Sequence, residues 1–197
     1  MSYTHLTDRD FDEKLREMGN YLWDLEQAAD LASAHQQRDE VDRLESKIRD
    51  LGRKAALFTS QPGPHRLLAA YVAGLAARMI RDWRLAAGWF ERVVDAQPEN
   101  ADAWLELTWC LAELEDWPRC IEAARQVTRL YPKASAGWGN LALALRSAGD
   151  LAGARQALAQ ALALDPEDPR NLQLKQALDH TAATASAAKA SGVDAPF

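Results

Sequence analysis

Residue types that carry chemistry in proteins are sparse in this sequence. No two of its histidines have the i, i+4 spacing of helical metal ligands, and neither a glycine-rich phosphate loop nor a nucleophile elbow occurs. Cys120 recurs in register with small residues, which is typical of a buried thiol rather than a nucleophile. The sequence therefore predicts a protein that is not an enzyme and that binds neither a cofactor nor a metal. The histidines and cysteines are His5, His35, His65, His180, Cys110 and Cys120.

Composition and charge narrow the class of protein further. The chain has 197 residues, of which 48% are hydrophobic and 26% are charged, the balance of an ordinary globular domain. A net charge of −6 argues against binding nucleic acid through a basic face. No apolar run reaches the roughly 20 residues that span a bilayer, and the first residues lack the pattern of a secretory signal. We therefore expect a cytoplasmic protein that inserts into no membrane and binds no nucleic acid.

A period of 34 residues runs through the middle of the chain. Prolines recur at this spacing, and so do tryptophans, leucines, small residues and aspartates. Agreement among this many positions indicates an internal structural repeat. The recurring sets are Pro64, Pro98, Pro132 and Pro166; Trp104 and Trp138; Leu107 and Leu141; Ala86, Cys120 and Ala154; and Asp82, Asp116 and Asp150.

Each period has the pattern of two amphipathic helices. In the second period, Trp104, Leu107 and Leu111 share one helix face because of their spacing. Pro118 suits the first turn of the next helix, where its missing N–H costs nothing, and Pro132 ends that helix. The sequence thus predicts pairs of helices that must stack on their neighbours to bury their apolar faces.

These motifs resemble the tetratricopeptide repeat, in which Trp-x2-Leu-Gly-x2-Tyr, Ala-x3-Phe and Pro follow one another. The second and third periods follow this pattern closely. They read Trp104-x2-Leu107-Thr108-x2-Leu111, Cys120-x3-Ala124 and Pro132, and then Trp138-x2-Leu141-Ala142-x2-Leu145, Ala154-x3-Leu158 and Pro166.

The first period follows the pattern less well, because Ala70 and Ala73 stand where the family has large residues. The resemblance covers residues 65–168 and implies an all-α fold. That fold is a right-handed superhelical solenoid, with an N-terminal helical hairpin and a C-terminal capping helix as additions. The three repeats are 65–98, 99–132 and 133–166.

Residues 7–59 show no match at the 34-residue spacing but carry two apolar series with helical spacing. The two series do not share a phase, which predicts a helical hairpin that turns near 33–40. One long helix with a phase slip is the alternative, since no Gly or Pro lies between Asn20 and Leu51. Residues 1–6 are expected to be a tail and 60–64 a linker. The two series are Phe11, Leu15, Met18, Leu22, Leu25, Ala29 and Ala32, and Val41, Leu44, Ile48, Leu51, Ala55 and Phe58.

Two roles are open for this hairpin. It caps the weak first repeat, which would explain the small Ala70 and Ala73, or it forms a coiled coil that holds a homodimer together.

At the other end of the repeats, the sequence predicts a capping helix over residues 169–182, because the last repeat would otherwise expose its apolar face. Residues 183–197 have little apolar bulk and are expected to be a disordered tail.

The resemblance also implies a partner-binding face. In the family, the first helix of each repeat lines a concave groove that holds an extended peptide or a partner helix. Trp109 is the strongest candidate here, as an aromatic anchor in that groove. The alternative is that the hairpin or the C-terminal tail covers Trp109 within the chain. The residues at the groove positions are Tyr71, Leu75, Arg78, Leu105, Glu106, Trp109, Glu113, Asn140, Leu143 and Arg146.

Charge limits what this groove would bind. Glu106 and Glu113 make its middle negative, so a ligand with an apolar core and a central basic residue would suit it. Family members that bind chaperone tails use two Asn and several basic residues around a terminal carboxylate. Here Asn140 alone matches that set, and Glu106 would repel the carboxylate. The resemblance therefore disfavours recognition of a Glu-Glu-Val-Asp tail.

The functional prediction is a non-enzymatic adaptor, chaperone or assembly factor that binds a segment of a partner protein. Two alternatives stay open. One is a structural subunit whose hairpin and apolar surfaces are buried in a larger complex. The other is a chaperone of the class that escorts translocators of type III secretion, which the small acidic chain with three repeats resembles in architecture.

Overall fold

The computed structural model describes residues 7–61 and 63–190, with side chains described as far as residue 181. Over these residues the chain forms nine α-helices and no strand, so the predicted all-α fold is confirmed. The helices are α1 (Asp8–Ala34), α2 (Arg38–Phe58), α3 (His65–Met79), α4 (Trp83–Ala96), α5 (Ala101–Glu113), α6 (Trp117–Leu130), α7 (Ser135–Ser147), α8 (Leu151–Leu164) and α9 (Pro169–Ala190).

The helices fall into two compact units. The first unit, Met1–Leu114, contains α1 to α5, and the second, Glu115–Phe197, contains α6 to α9. The boundary follows the end of α5, between the two helices of the second predicted repeat. Each unit is described by itself below.

The first unit opens with a helical hairpin. A capping box starts α1: the Asp10 N–H donates to Thr7 Oγ1 over 3.3 Å, and the Thr7 N–H donates to Asp10 Oδ2 over 2.8 Å. The chain leaves the helix at Gln36, whose φ of 58° lies in the left-handed region, and α2 begins two residues later. The break in apolar phase therefore corresponds to a turn, and the alternative of one long helix is wrong.

The hairpin packs on α3 within the same unit. The buried apolar residues of α1 and α2, here called the apolar seam of the hairpin, form one cluster with the small residues Ala69, Ala73 and Ala76 of α3. The seam includes Leu15, Leu22, Leu44 and Ile48. A Cβ added at Gly52 of α2 would lie 2.8 Å from Ala76 Cβ, so the two helices touch at their backbones. The small residues of the weak first repeat therefore make room for α2, as the capping role predicts.

In the second unit, α6 to α9 share a separate core. Leu158 of α8 packs with Leu174 and Leu178 of α9 and with apolar residues of α6 and α7. The helix α9 continues to Ala190, whereas the sequence predicted a helix end at residue 182 and a disordered tail from 183. The reason is helix propensity: the segment is rich in alanine and has no Gly or Pro before Gly192. Residues 1–6 and 191–197, also predicted as tails, lie outside the described residues.

The periodic residues have defined structural roles. The side chains of Asp82, Asp116 and Asp150 each accept a hydrogen bond from the first turn of α4, α6 or α8 and so cap those helices. Trp104 Nε1 donates to the Pro98 carbonyl oxygen, and Trp138 Nε1 donates to that of Pro132, each over 2.9 Å. The recurring Asp therefore marks the start of the second helix of each repeat, and the recurring Trp and Pro mark the corner that leads into the first helix.

Candidate partner-binding surfaces

The predicted groove residues occur in both units. In the first unit they lie on α3 and α5, and in the second they lie on α7. The first set is Tyr71, Leu75, Arg78, Leu105, Glu106, Trp109 and Glu113, and the second is Asn140, Leu143 and Arg146.

Arg78 lies at the centre of the surface of the first unit. Its Nη1 and Nη2 donate to Glu26 Oε1 and Oε2 over 3.1 Å and 3.4 Å, and its Nε lies 2.9 Å from Glu106 Oε2. With only 8% of its surface exposed, Arg78 is a buried residue that joins α1 to α5 across α3. Glu26 comes from the hairpin, and sequence reasoning did not identify it.

Trp109 lies beside this cluster and remains open to solvent. Its ring centroid is 5.0 Å from the Arg78 guanidinium carbon, a cation–π contact. The side chain is nevertheless 52% exposed, and Leu105, one turn earlier on α5, is exposed as well. The hairpin thus contacts Arg78 and leaves Trp109 uncovered.

Tyr71 and Leu75 lie earlier on α3 and are half-buried. Leu75 packs against the core that the hairpin shares with α3, and the Tyr71 ring meets the Phe90 ring edge-on at 5.6 Å. Burial raises the pKa of the Tyr71 hydroxyl, and the carboxylates of Glu106 and Asp102 raise it further. Tyr71 therefore serves the surface as a neutral ring.

The charge balance of this surface is negative. The Arg78 guanidinium is opposed by the two carboxylates of Glu26 and Glu106, while Asp102 and Glu113 are exposed on the same helix as Glu106. Burial raises the pKa of Glu106, Arg78 lowers it, and the nearby Glu26 and Asp102 raise it again. A further positive charge placed here would meet more carboxylate than Arg78 can balance.

The helix α1 forms a second wall of this surface. A cavity of about 330 Å³ has Asp12 and Arg16 of α1, Tyr71 of α3 and Asp102 of α5 in its lining. Further along α1, Trp23 precedes Glu26 by three residues, on the same side of the helix, and is exposed. The sequence analysis did not predict a role for these α1 residues. Each of them directly follows a residue of the first apolar series, and that position was the signal that could have found them.

The surface of the second unit centres on α7 and the first turns of α9. Leu143 is exposed, and Asn140 and Arg146 are half-buried. Asn140 and Leu143 line a cavity of about 100 Å³ together with Asn171 and Leu174. This surface is therefore mostly apolar with amide groups.

Both cysteines are buried. Burial raises the pKa of Cys110 to about 12 and that of Cys120 to about 11, which disfavours a reactive thiolate. No cluster of three His, Cys, Asp or Glu side chains suited to a metal ion occurs among the described residues. Of the helices described, none has both the length and the apolarity that a membrane crossing requires.

Comparison with known proteins identifies the family. The sequence profile of the tetratricopeptide repeat matches residues 71–119 and 111–169, which together make up half of the chain. The chain belongs to the tetratricopeptide repeat family. The matched segment nearly coincides with residues 65–168, which carry the repeat pattern. No curated protein sequence matches the chain.

Solved structures of tetratricopeptide repeat proteins share the fold. YrrB, described as having an unusual peptide-binding site, is 16% identical with a TM-score of 0.59, over 86% of this chain and 81% of its own. The second such domain of human RPAP3, in complex with the HSP70 peptide SGPTIEEVD, is 17% identical with a TM-score of 0.56, over 59% and 98%. The first such domain of Spaghetti, bound to the HSP90 peptide SRMEEVD, is 13% identical with a TM-score of 0.57, over 61% and 96%.

Proposed function

We propose that this tetratricopeptide repeat protein is a non-enzymatic adaptor that holds a segment of a partner protein on the surface formed by α1, α3 and α5. The observation that carries the proposal is the exposed Trp109 packed on Arg78, whose single positive charge faces the two carboxylates of Glu26 and Glu106. Exposed tryptophans of this kind dominate the energies of protein interfaces. The partner segment has a basic residue flanked by apolar residues.

The charge of the surface supports this choice of ligand. A Lys or Arg of the partner lies close to Glu106 and Glu26, and its aliphatic stem packs on the indole of Trp109. The apolar neighbours of that residue meet Leu105 and Trp23, which are exposed on α5 and α1. The same carboxylates repel an acidic segment, so this surface differs in its preference from those that bind SGPTIEEVD and SRMEEVD.

A second candidate function is a structural subunit of a larger complex. The observation that favours it is a set of exposed large apolar residues on the hairpin, away from its seam: Tyr21, Leu31 and Leu57. Exposed apolar groups on a small protein mark interaction surfaces when they form patches. Under this function, the chain aggregates when purified alone, whereas an adaptor stays soluble with its surface free.

A direct binding experiment tests the adaptor function. The probe is a fluorescein-labelled peptide of sequence Ala-Leu-Leu-Arg-Leu-Leu-Ala, titrated with the purified chain and followed by anisotropy. We expect saturable binding, and a loss of about 2 kcal/mol with Trp109→Ala because the anchor is removed. The variant Leu57→Ala, which removes an exposed apolar side chain from α2, is the control and retains binding.

A second peptide, with Glu in place of Arg, distinguishes recognition of the positive charge from nonspecific hydrophobic binding. We expect it to bind at least ten times more weakly, because two half-buried carboxylates oppose it. Equal binding of the two peptides, or equal binding by the wild type and Trp109→Ala, would contradict the proposal.

A further inference from the structure

The cavity between α7 and α9 in the second unit contains an unpaired polar group. Asn171 is 4% exposed, and its Nδ2 is buried without a hydrogen-bond partner among the described residues. A buried amide donor without an acceptor is costly, and such groups in folded proteins call for an explanation. The cavity of about 100 Å³ next to Asn171 is the place from which an acceptor can reach it.

The nearby charged groups do not supply that acceptor. Asp168 Oδ1 accepts from the backbone N–H groups of Arg170 and Asn171 over 2.8 Å and 3.3 Å, which caps α9. The other oxygen of Asp168 lies 3.6 Å from Arg170 Nη2. Because these charges pair with each other, the cavity has no net charge to attract an ion, and the acceptor that fits is a neutral carbonyl oxygen.

Most of the remaining wall of the cavity is apolar, and Asn140 of α7 adds one amide side chain to it. Leu174 is buried and Leu143 is exposed at the mouth. Gly139 of α7 faces Asn171, and a Cβ added at Gly139 would collide with Asn171 Oδ1. The absence of a side chain at Gly139 therefore makes room for the Asn171 amide. The volume is below the roughly 150 Å³ of an apolar cavity that holds benzene. A branched aliphatic side chain fits this space, and an aromatic ring exceeds it.

We propose that this cavity is a subsite that binds an aliphatic residue of a partner peptide, with Leu143 and Leu174 against its side chain and a main-chain carbonyl oxygen accepting from Asn171 Nδ2. The proposal extends the proposed peptide-binding function to the second unit. The subsite depends on neither Trp109 nor the acidic surface of the first unit, so each proposal fails or succeeds separately.

Nuclear magnetic resonance on the full chain tests the subsite. The probes are acetyl-leucine, acetyl-glycine and acetyl-phenylalanine, each as its N-methylamide, and the readout is the side-chain NH2 signal of Asn171. We expect acetyl-leucine N-methylamide to shift this signal saturably, with at least a tenfold weaker effect from the other two. An unmoved signal, as when water alone occupies the cavity, or the same response to all three probes, overturns the proposal.

Variants add a matched control. Asn171→Asp keeps the shape of the side chain and removes its donor, and we expect at least a tenfold loss of affinity, followed through the backbone signals of Leu143. Gln176→Glu adds the same charge at an exposed position of α9 and is expected to bind as the wild type does. Trp109→Ala is expected to leave this binding unchanged. Retained binding in Asn171→Asp would show that the amide plays no part and would overturn the proposal.

Discussion

Arg78 shows how one residue can link a repeat helix to an added element. Its guanidinium contacts Glu26 of α1 and Glu106 of α5, and its face meets the Trp109 ring. A buried charge of this kind is stable only while its partners are present, because an unpaired charge loses its hydration without compensation. The same arrangement leaves Glu106 half-buried and short of positive charge.

Glu106 gives a pH-dependent prediction. Its pKa in the folded chain is raised above the ordinary value of 4.5, mainly by burial, so the folded chain holds this proton more tightly than the unfolded chain does. Its contribution to stability therefore falls as the pH rises from about 4.5 through the raised pKa. We expect the free energy of unfolding of Glu106→Gln, relative to wild type, to increase over that pH interval.

Urea unfolding at a series of pH values measures this difference. Glu113→Gln, which removes an exposed carboxylate from the same helix, is the control and should show no such increase. A difference between Glu106→Gln and wild type that stays constant or falls with rising pH would mean that burial does not govern Glu106.

Close approach between helices depends on a few small residues. A Cβ added at Gly74 of α3 would lie 2.8 Å from Phe90 Cε1 of α4, whereas one added at Gly88 meets no described atom within 4 Å. Phe90, one turn after the small Ala86 on α4, is the side chain that fills the space beside Gly74. Packing between α3 and α4 therefore requires glycine at one position and only tolerates it at the other.

The two glycines form a matched pair for an experiment. Gly→Ala gains helix propensity at both positions, about 1 kcal/mol each, so this gain cancels in the comparison. Gly74→Ala additionally overpacks the contact with Phe90, at a cost of about 1–3 kcal/mol. We expect Gly74→Ala to be less stable than Gly88→Ala by that amount in thermal and urea unfolding. Equal stability would show that the Phe90 ring moves aside freely.

At the scale of the whole chain, the hairpin uses its apolar seam internally. Leu15, Leu22 and Ile48 are almost fully buried, in one cluster with the alanines of α3. Because the apolar seam is already buried within the chain, it leaves little exposed apolar surface for contact with a second copy. The capping role therefore accounts for the apolar spacing that a coiled coil would also explain.

The oligomeric state checks this account. We expect light scattering to give a mass near the 21.8 kDa of one chain. Deleting residues 1–60 exposes the apolar face of α3 and leaves Arg78 without Glu26, so the shortened chain should aggregate or lose cooperative unfolding. An intact chain of twice the expected mass, or a shortened chain that stays folded and monomeric, would contradict the capping role.

Much of the fold was predictable because its signals are local. The spacing of Pro98 and Pro132 marks the repeat corners, and the caps at Asp116 and Asp150 are contacts over three residues. Composition predicts disorder from residue 183, whereas α9 extends to Ala190, because alanine favours a helix. The groove positions on α3 and α5 followed from the repeat register, and their role in binding stays a prediction.

The sequence by itself determined the 34-residue repeat, the all-α class and the apolar face of each helix, because these depend on residues within one or two turns of each other. Only the tertiary structure decided that Glu26 meets Arg78, 52 positions later, and that the Nδ2 of Asn171 is buried without a hydrogen-bond partner among the described residues. Such pairings depend on the angle and distance at which helices pack. Those quantities result from many side chains acting together.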